Sequence, residues 1–260
     1  MTMTDLLEGE HERLISAQFG PQAAAYVTSA VHAKGADLDA LAQMMSGRGA
    51  ARVLDLGCGG GHVSFTVAPH VAHVVAYDLS DRMLEAVAAE AGRRGLANIE
   101  TAQGVAEKLP FPDATFDFVI SRYSAHHWRD LSAGLAETRR VLKQSGRAIF
   151  MDVVAPPSAV LDTFLQAVEL LRDPSHARDF AVREWVERAR EARLACQSVT
   201  DGRLRLEFGS WIARINTSEL HAAAIRALQE MAVSDVRDHF AIEADGSFTL
   251  DTATLVFAPA

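Results

Sequence analysis

One run of residues, 53–64, limits what this chain can fold into more than any other: Val53-Leu54-Asp55-Leu56-Gly57-Cys58-Gly59-Gly60-Gly61-His62-Val63-Ser64. Val53, Leu54 and Leu56 suit a strand covered on both faces. Gly57, Gly59, Gly60 and Gly61 then permit positive φ and let the backbone approach a ligand closely. A helix starting after Gly61 would point its first N–H groups at that ligand. The run therefore predicts a buried strand, a binding turn and a helix, the opening unit of a layered α/β domain.

The spacing separates this turn from the dinucleotide fingerprint G-x-G-x-x-G. The place of the third glycine, counted from Gly59, is His62. The pattern is D-x-G-x-G-x-G, from Asp55 to Gly61. A carboxylate at the strand tip repels a pyrophosphate and suits an ammonium. S-adenosylmethionine (SAM) carries an ammonium, a sulfonium, a ribose and an adenine. The plainer reading is a tight strand–helix connection with no ligand.

Composition excludes several classes. A hydrophobic share of 49% over 260 residues supports a sizeable core, and 23% charged residues is ordinary for a soluble protein. The net charge of −9 argues against a broad nucleic-acid footprint, which needs clustered Lys and Arg. No apolar run reaches membrane-spanning length, and the N-terminal residues lack a secretory pattern. The two cysteines, Cys58 and Cys196, make neither a disulfide framework nor a metal motif. A reduced, cytoplasmic setting is expected.

Helices are expected over residues 5–45, with a break at Gln18-Phe19-Gly20-Pro21 and new starts near Pro21 and Asp37. They would pack on the sheet, and Phe19 and Tyr26 would either pack there or close over the ligand. His73 to Ser80 predicts the second strand. Its acid, Asp78, stands 17 residues after Gly61, near the separation at which such acids accept two ribose hydroxyls; helix capping is the alternative. Strands are also expected at Asn98–Gly104, Phe116–Arg122 and Arg147–Val154. Helices should span Arg82–Arg94 and Leu131–Leu142. The alternation predicts a doubly wound, mostly parallel sheet.

The fourth strand runs into Tyr123-Ser124-Ala125-His126-His127-Trp128, on the same carboxyl edge as the glycine turn. His126 and His127 could transfer a proton, or simply cap or pack a helix start. No metal site is expected, because the usual local spacings lack a third ligand. The loop Val105 to Pro112 could wall an adenine, with Glu107 either at its edge or solvated. Beyond Ala155-Pro156-Pro157 the pattern loosens. Helices are expected at 159–171, 179–195, 218–231 and 234–240, and strands at 203–208 and 252–257. Arg214, His221 and His239 are candidate contacts to an anionic substrate or, more simply, surface and ion-pair residues.

These residues together resemble a known family. Val53 to Gly61 is similar to motif I of class I SAM-dependent methyltransferases, and Ala76-Tyr77-Asp78-Leu79-Ser80 with Met83 to their second motif. Ala106 to Phe111, Phe116 to Val119 and Arg140 to Gly146 resemble the rest of the set. The nearest subgroup is the small-molecule enzymes similar to ubiquinone and menaquinone biosynthesis methyltransferases. The likeness covers residues 19–155 well and the remainder weakly.

The resemblance implies a single domain over 1–260 with a seven-stranded Rossmann-like sheet. Within it, 1–47 would be N-terminal helices, 48–155 the SAM-binding core, 156–245 an inserted helical cap with a late strand, and 246–260 the final strand. Asp55 and the backbone of Gly57, Cys58 and Gly59 would hold the methionine portion. Asp78 would hold the ribose, Leu79 and Met83 would flank the adenine, and Ala106 and Glu107 would border its edge. Arg122 would approach the methionine carboxylate or the substrate, and Tyr26 would help close the site. The expected reaction is in-line transfer of methyl to a small acceptor, quinone-like or another metabolite, with S-adenosylhomocysteine (SAH) leaving. His127 or His126 would serve if a base is needed. A monomer or homodimer is expected, with no nucleic-acid partner. A non-catalytic SAM-binding regulator and an NAD-dependent oxidoreductase are the alternatives; the missing glycine at His62 and the acid at Asp55 argue against the latter.

Overall fold

The structure, a computed structural model, describes residues 3–23 and 35–260, with side chains from residue 9 onward in those ranges. Helix α1 spans Met3–Phe19 and is followed by a short 3-10 turn, Gly20–Gln22. The continuation of the helix expected from Pro21, with Tyr26 on it, lies outside the described residues. Helix α2 is Ala36–Met45.

Seven strands follow in the core: β1 Arg52–Leu56, β2 His73–Asp78, β3 Ile99–Gln103, β4 Phe116–Arg122, β5 Leu142–Val153, β6 Leu194–Leu206 and β7 Phe248–Pro259. Their order in one sheet is β3-β2-β1-β4-β5-β7-β6. The pairings from β3 to β5 are parallel, and β7 runs antiparallel to both β5 and β6. The expected Rossmann-like, mostly parallel seven-stranded sheet is present. The chain builds outward from β1 to β3, then returns to place β4 on the other side of β1. That reversal opens a crevice at the carboxyl ends of β1 and β4.

The two faces of the sheet follow the strand period of two. Leu54 and Leu56 of β1, Val119 of β4 and Phe150 of β5 enter one core with Tyr77, Trp128, Leu135 and Trp185. Val53, Phe118, Ile120 and Met151 enter the opposite core, against Leu38, Leu41 and Met45 of α2 and Val63 and Val67. The last two belong to helix α3, His62–Val67. Helix α4, Asp81–Arg94, starts on a Ser80 cap and ends at Gly95 in the left-handed region (φ 69°). Helix α5 is Leu131–Val141.

The second half departs from the sequence expectation in several elements, including the unexpected short helix at Phe208–Ala213. The helix expected over 179–195 is shorter, α7 at Val182–Glu191, and β6 begins at Leu194, well before the expected strand at 203–208. Most of β6 between its buried ends is exposed, so it carries almost no apolar signal. It is held by its ladder with β7. Helix α6 (Ala159–Arg172), α8 (Phe208–Ala213), α9 (Glu219–Met231) and α10 (Ser234–His239) form the remaining layer. Leu165, Val168, Trp211, Phe240, Phe248 and Leu250 make its core.

Candidate active site

The turn after β1 is built by backbone contacts to β2. The N–H groups of Gly57 and Cys58 both donate to the Tyr77 carbonyl, at 2.8 and 2.9 Å. Gly57 has φ 73°, and a Cβ there would stand 1.8 Å from Ser124 Oγ. Only glycine fits where the turn meets the segment after β4. Gly61 (φ 77°) precedes the first residue of α3.

Asp78 joins this turn directly. Its Oδ2 accepts the N–H of Gly59 at 2.8 Å, and its Oδ1 accepts the N–H of Ser80 at 2.9 Å. Burial pushes its carboxyl above the usual range, against those two hydrogen bonds. A smaller cavity opens here, lined by Leu56, Gly57, Gly59, Asp78, Leu79, Met83, Ala106 and Glu107, with His11, Ile15 and Phe19 of α1 over it. Asp78 therefore presents spare lone pairs into a mostly apolar slot. Those are the features a ribose diol and an adenine ring require.

Asp55 and Arg122 both stand off the smaller cavity, for one physical reason. Asp55 alternates with Leu54 and Leu56, so its side chain points to the opposite face of the sheet. There its Oδ2 accepts from the Ser64 N–H at 2.9 Å and the Ser64 Oγ–H at 2.6 Å, which caps α3 from outside. It is 1% exposed and does not line the smaller cavity. Burial raises its pKa to about 7 despite the Ser64 bonds, with Asp78 adding to the rise. Arg122 shares the face of Phe118 and Ile120, and its Nε donates to Asp37 Oδ2 on α2 at 2.5 Å. Cys58 also stays off the smaller cavity; its thiol packs in a core with Phe65, Leu84 and Val87.

Beyond β4 the chain makes an unusual bend. Tyr123 has φ 51°, a region that bulky residues rarely occupy, and its N–H donates to the Met151 carbonyl at 2.8 Å. This bend delivers Ser124 to His127 to the crevice. Phe19, Tyr123 and His127 line both the smaller cavity and a second one of about 490 Å³. The second cavity runs past Arg122, His126, Asp152, Glu169, Arg172 and Trp211 toward β6 and β7. Arg214 also lines it, whereas His239 pairs with Asp251 at 2.7 Å and His221 lies at the start of α9.

The two histidines have different surroundings. His126 Nδ1 bonds to Asp152 Oδ1 at 2.6 Å. Burial alone would lower its pKa, but the charge and hydrogen bond of Asp152, helped by Asp179 and Glu169, outweigh this and raise it to about 9. His127 Nδ1 lies 3.1 Å from the Ser175 carbonyl, so Nδ1–H donates and Nε2 is left as the acceptor. Burial, then the charge on His126, lowers its pKa to about 4 against the pull of Asp173. The rings lie 4.3 Å apart, and Phe19 meets His127 edge-on at 5.0 Å.

Sequence reasoning did not single out Asp152, Asp173, Ser175 or Asp179. Asp152 was visible as a charge inside the apolar run Ala148–Val154. The others lie in a polar stretch, Asp173 to Asp179, that reads as a loop but in which Asp173, Ser175, His176 and Asp179 are buried.

A model of the methyltransferase domain matches residues 54–150. YcgJ of Bacillus subtilis (strain 168), an uncharacterized methyltransferase, is 36% identical over 224 residues, 86% of this chain and 88% of that one. The chain belongs to the class I SAM-dependent methyltransferases. The crystal structure of Bacillus subtilis YcgJ superposes on this methyltransferase with a TM-score of 0.80, covering 85% of this chain and 96% of that one at 35% identity. YafE of Escherichia coli (strain K12), an uncharacterized protein, is 51% identical over 191 residues, 74% of this methyltransferase and 92% of YafE. Demethylmenaquinone methyltransferase of Chlorobaculum tepidum is 35% identical over 120 residues, 46% of this chain and 48% of that enzyme. No helix among the described residues is long and apolar enough to cross a membrane.

Proposed function

We propose that this methyltransferase holds SAM in the smaller cavity and a small-molecule acceptor in the larger one, with His127 between them as the proton acceptor. The observation that carries the reading is the shared wall. Phe19, Tyr123 and His127 face both cavities, so a group bound in each would meet at these three side chains.

The residues present fit the cofactor. The backbone of Gly57 and Gly59 is bare toward the cavity. Asp78 would receive the ribose hydroxyls. Leu79, Met83 and Ala106 offer apolar contact to the adenine, with Glu107 at the rim; its Oε1 accepts the Asp130 N–H at 3.3 Å. When bound, SAM supplies an electrophilic methyl on a sulfonium. The protein's own contribution is alignment and exclusion of water, which in well-oriented reactions is worth about 7–11 kcal/mol. Helix α1 covers the smaller cavity with Ile15 and Phe19. His127 Nε2 is the atom that takes the proton of an acceptor O–H or N–H; Nδ1–H, bound to the Ser175 carbonyl, holds the ring in that tautomer. A quinol or phenol suits the aromatic side chains nearby, and because burial keeps His127 weakly basic, the acceptor O–H would transfer its proton only as the methyl bond forms. The partial likeness to a demethylmenaquinone methyltransferase favours the quinol class.

The test pairs binding with turnover. Calorimetry should show saturable binding of SAM and SAH and none of NAD; heat with NAD alone would sink the reading. Turnover should then appear in a panel of quinols, phenols and amines. His127→Ala should lower kcat by about 10²–10⁴-fold with SAM affinity retained. Unchanged turnover in that variant would remove His127 from the mechanism.

A further inference from the structure

Behind the wall of the larger cavity lies a group of buried polar side chains that methyl transfer does not use. Asp179 is 1% exposed, and neither of its carboxylate oxygens has a hydrogen-bond partner among the described residues. Its backbone is satisfied instead: the N–H donates to Gln166 Oε1 at 3.1 Å and the carbonyl accepts from Gln166 Nε2 at 2.8 Å. The nearest cationic candidate is His176 Nε2, 3.8 Å from Oδ2, but that nitrogen is already 3.0 Å from Gln166 Oε1. His176 Nδ1 is buried without a partner as well. Buried carboxylates are almost always hydrogen-bonded or bound to a cation, because the cost of leaving one bare is high.

The orphaned carboxylate lies beside two ligand-type side chains bonded to each other, His126 and Asp152, whose carboxylate also accepts the N–H groups of Ala125 and Val153. One ring nitrogen of His126 and one carboxylate oxygen each of Asp152 and Asp179 lie within 4.8 Å of one another. His126 comes from the turn after β4, Asp152 from β5 and Asp179 from the segment between α6 and α7. This is why local spacing in the sequence showed no third ligand. We propose that His126, Asp152 and Asp179 bind a divalent transition-metal ion in the wall of the larger cavity. One imidazole and two carboxylates suit Mn²⁺, Fe²⁺ or Zn²⁺ better than Mg²⁺ or Ca²⁺, which prefer oxygen alone. The charges balance: two carboxylates and a neutral imidazole meet one dication, and the proton held between His126 and Asp152 leaves to solvent. His126 and Asp152 also line the larger cavity, and Asp179 does not.

The experiment uses the full chain, stripped with chelator and desalted, and titrated with Mn²⁺ under paramagnetic resonance and with Zn²⁺ by calorimetry. One ion should bind per chain, with heat that varies with the buffer as protons are released. The midpoint of thermal unfolding should rise with the ion and not with Mg²⁺. Asp179→Asn should weaken binding at least tenfold, Asp179→Glu should restore part of it, and both should keep their affinity for SAH. Should Asp179→Asn fail to fold, crystals of the unmodified chain soaked in Mn²⁺ should show an anomalous peak between His126 and Asp179. Lack of saturable uptake, equal binding by Asp179→Asn, or a peak elsewhere would overturn the proposal. A gain in stability of Asp179→Asn with no metal uptake by the parent chain would also do so, marking Asp179 as a buried neutral acid.

Discussion

The Asp78 carboxylate accepts the backbone N–H of Gly59 at 2.8 Å, so the acid that ends β2 is fastened to the glycine turn that follows β1. One side chain thereby sets the shape of the turn and faces the slot proposed for the ribose. Asp78→Asn keeps the size and one of the two acceptor oxygens but loses the charge. Hydrogen bonds to charged groups are worth roughly 1.5–3 kcal/mol. SAH affinity should therefore fall about 10–100-fold, read by calorimetry. A loss below threefold would show that Asp78 serves the turn alone.

Gly57→Ala tests the turn itself. The substitution forces a side chain into φ 73° and against Ser124 Oγ. Backbone strain of this kind costs about 1–3 kcal/mol before any clash. The unfolding midpoint should drop by roughly 4–10 °C. Gly49→Ala, where a Cβ meets nothing within 4 Å, is the control and should leave it unchanged.

The parts of the site that depend on short-range geometry were legible in the sequence. Glycine spacing marked the turn after β1 and the acid of β2 that meets it, because strand, turn and helix are consecutive there. The period of two further assigns Asp55 and Arg122 to the α2 and α3 face, off the lining of the smaller cavity. What the sequence hid depends on long-range assembly. Asp152 and the buried stretch Asp173 to Asp179 reach His126 and His127 only because β5 lies beside β4 and the segment after α6 folds back; the N–H groups of Ala177 and Arg178 donate to the His126 carbonyl at 2.8 and 3.1 Å. The part of strand β6 before Arg203 was hidden for another reason: its ladder is made by backbone groups, which residue type hardly marks.

Asp55 should leave a signature in the pH dependence of stability. Its folded-state pKa of about 7 lies above the ordinary value of 3.8. The folded chain thus binds a proton that the unfolded chain releases. The stability this proton contributes is full below about pH 4 and is lost as pH rises through 7. Asp55→Asn carries no titrating group and retains an acceptor for Ser64. Relative to the parent chain, it should gain stability between pH 5 and pH 8, by on the order of a few kcal/mol. Urea midpoints at the two pH values measure this. A difference that does not change with pH would mean that Asp55 is ionised in the fold throughout.

Arg122 and Asp37 supply the last test, because the arginine expected to approach the methionine carboxylate or the substrate is paired with a carboxylate of α2. Its side chain is 6% exposed and that of Asp37 is 20% exposed, so the pair that ties β4 to α2 is largely shielded from water. Removing the Arg122 guanidinium strands the Asp37 charge, at about 3–5 kcal/mol when burial is complete and less at the exposure of Asp37. Arg122→Ala and Asp37→Asn should each lower the urea midpoint. The double variant should be less destabilised than the sum of the two, because the stranded charge is gone. SAH affinity should stay within about threefold in Asp37→Asn, since Asp37 lines only the larger cavity. Additive destabilisation would show that the two side chains act separately. A selective loss of SAH binding in Arg122→Ala, with stability intact, would return the arginine to the cofactor.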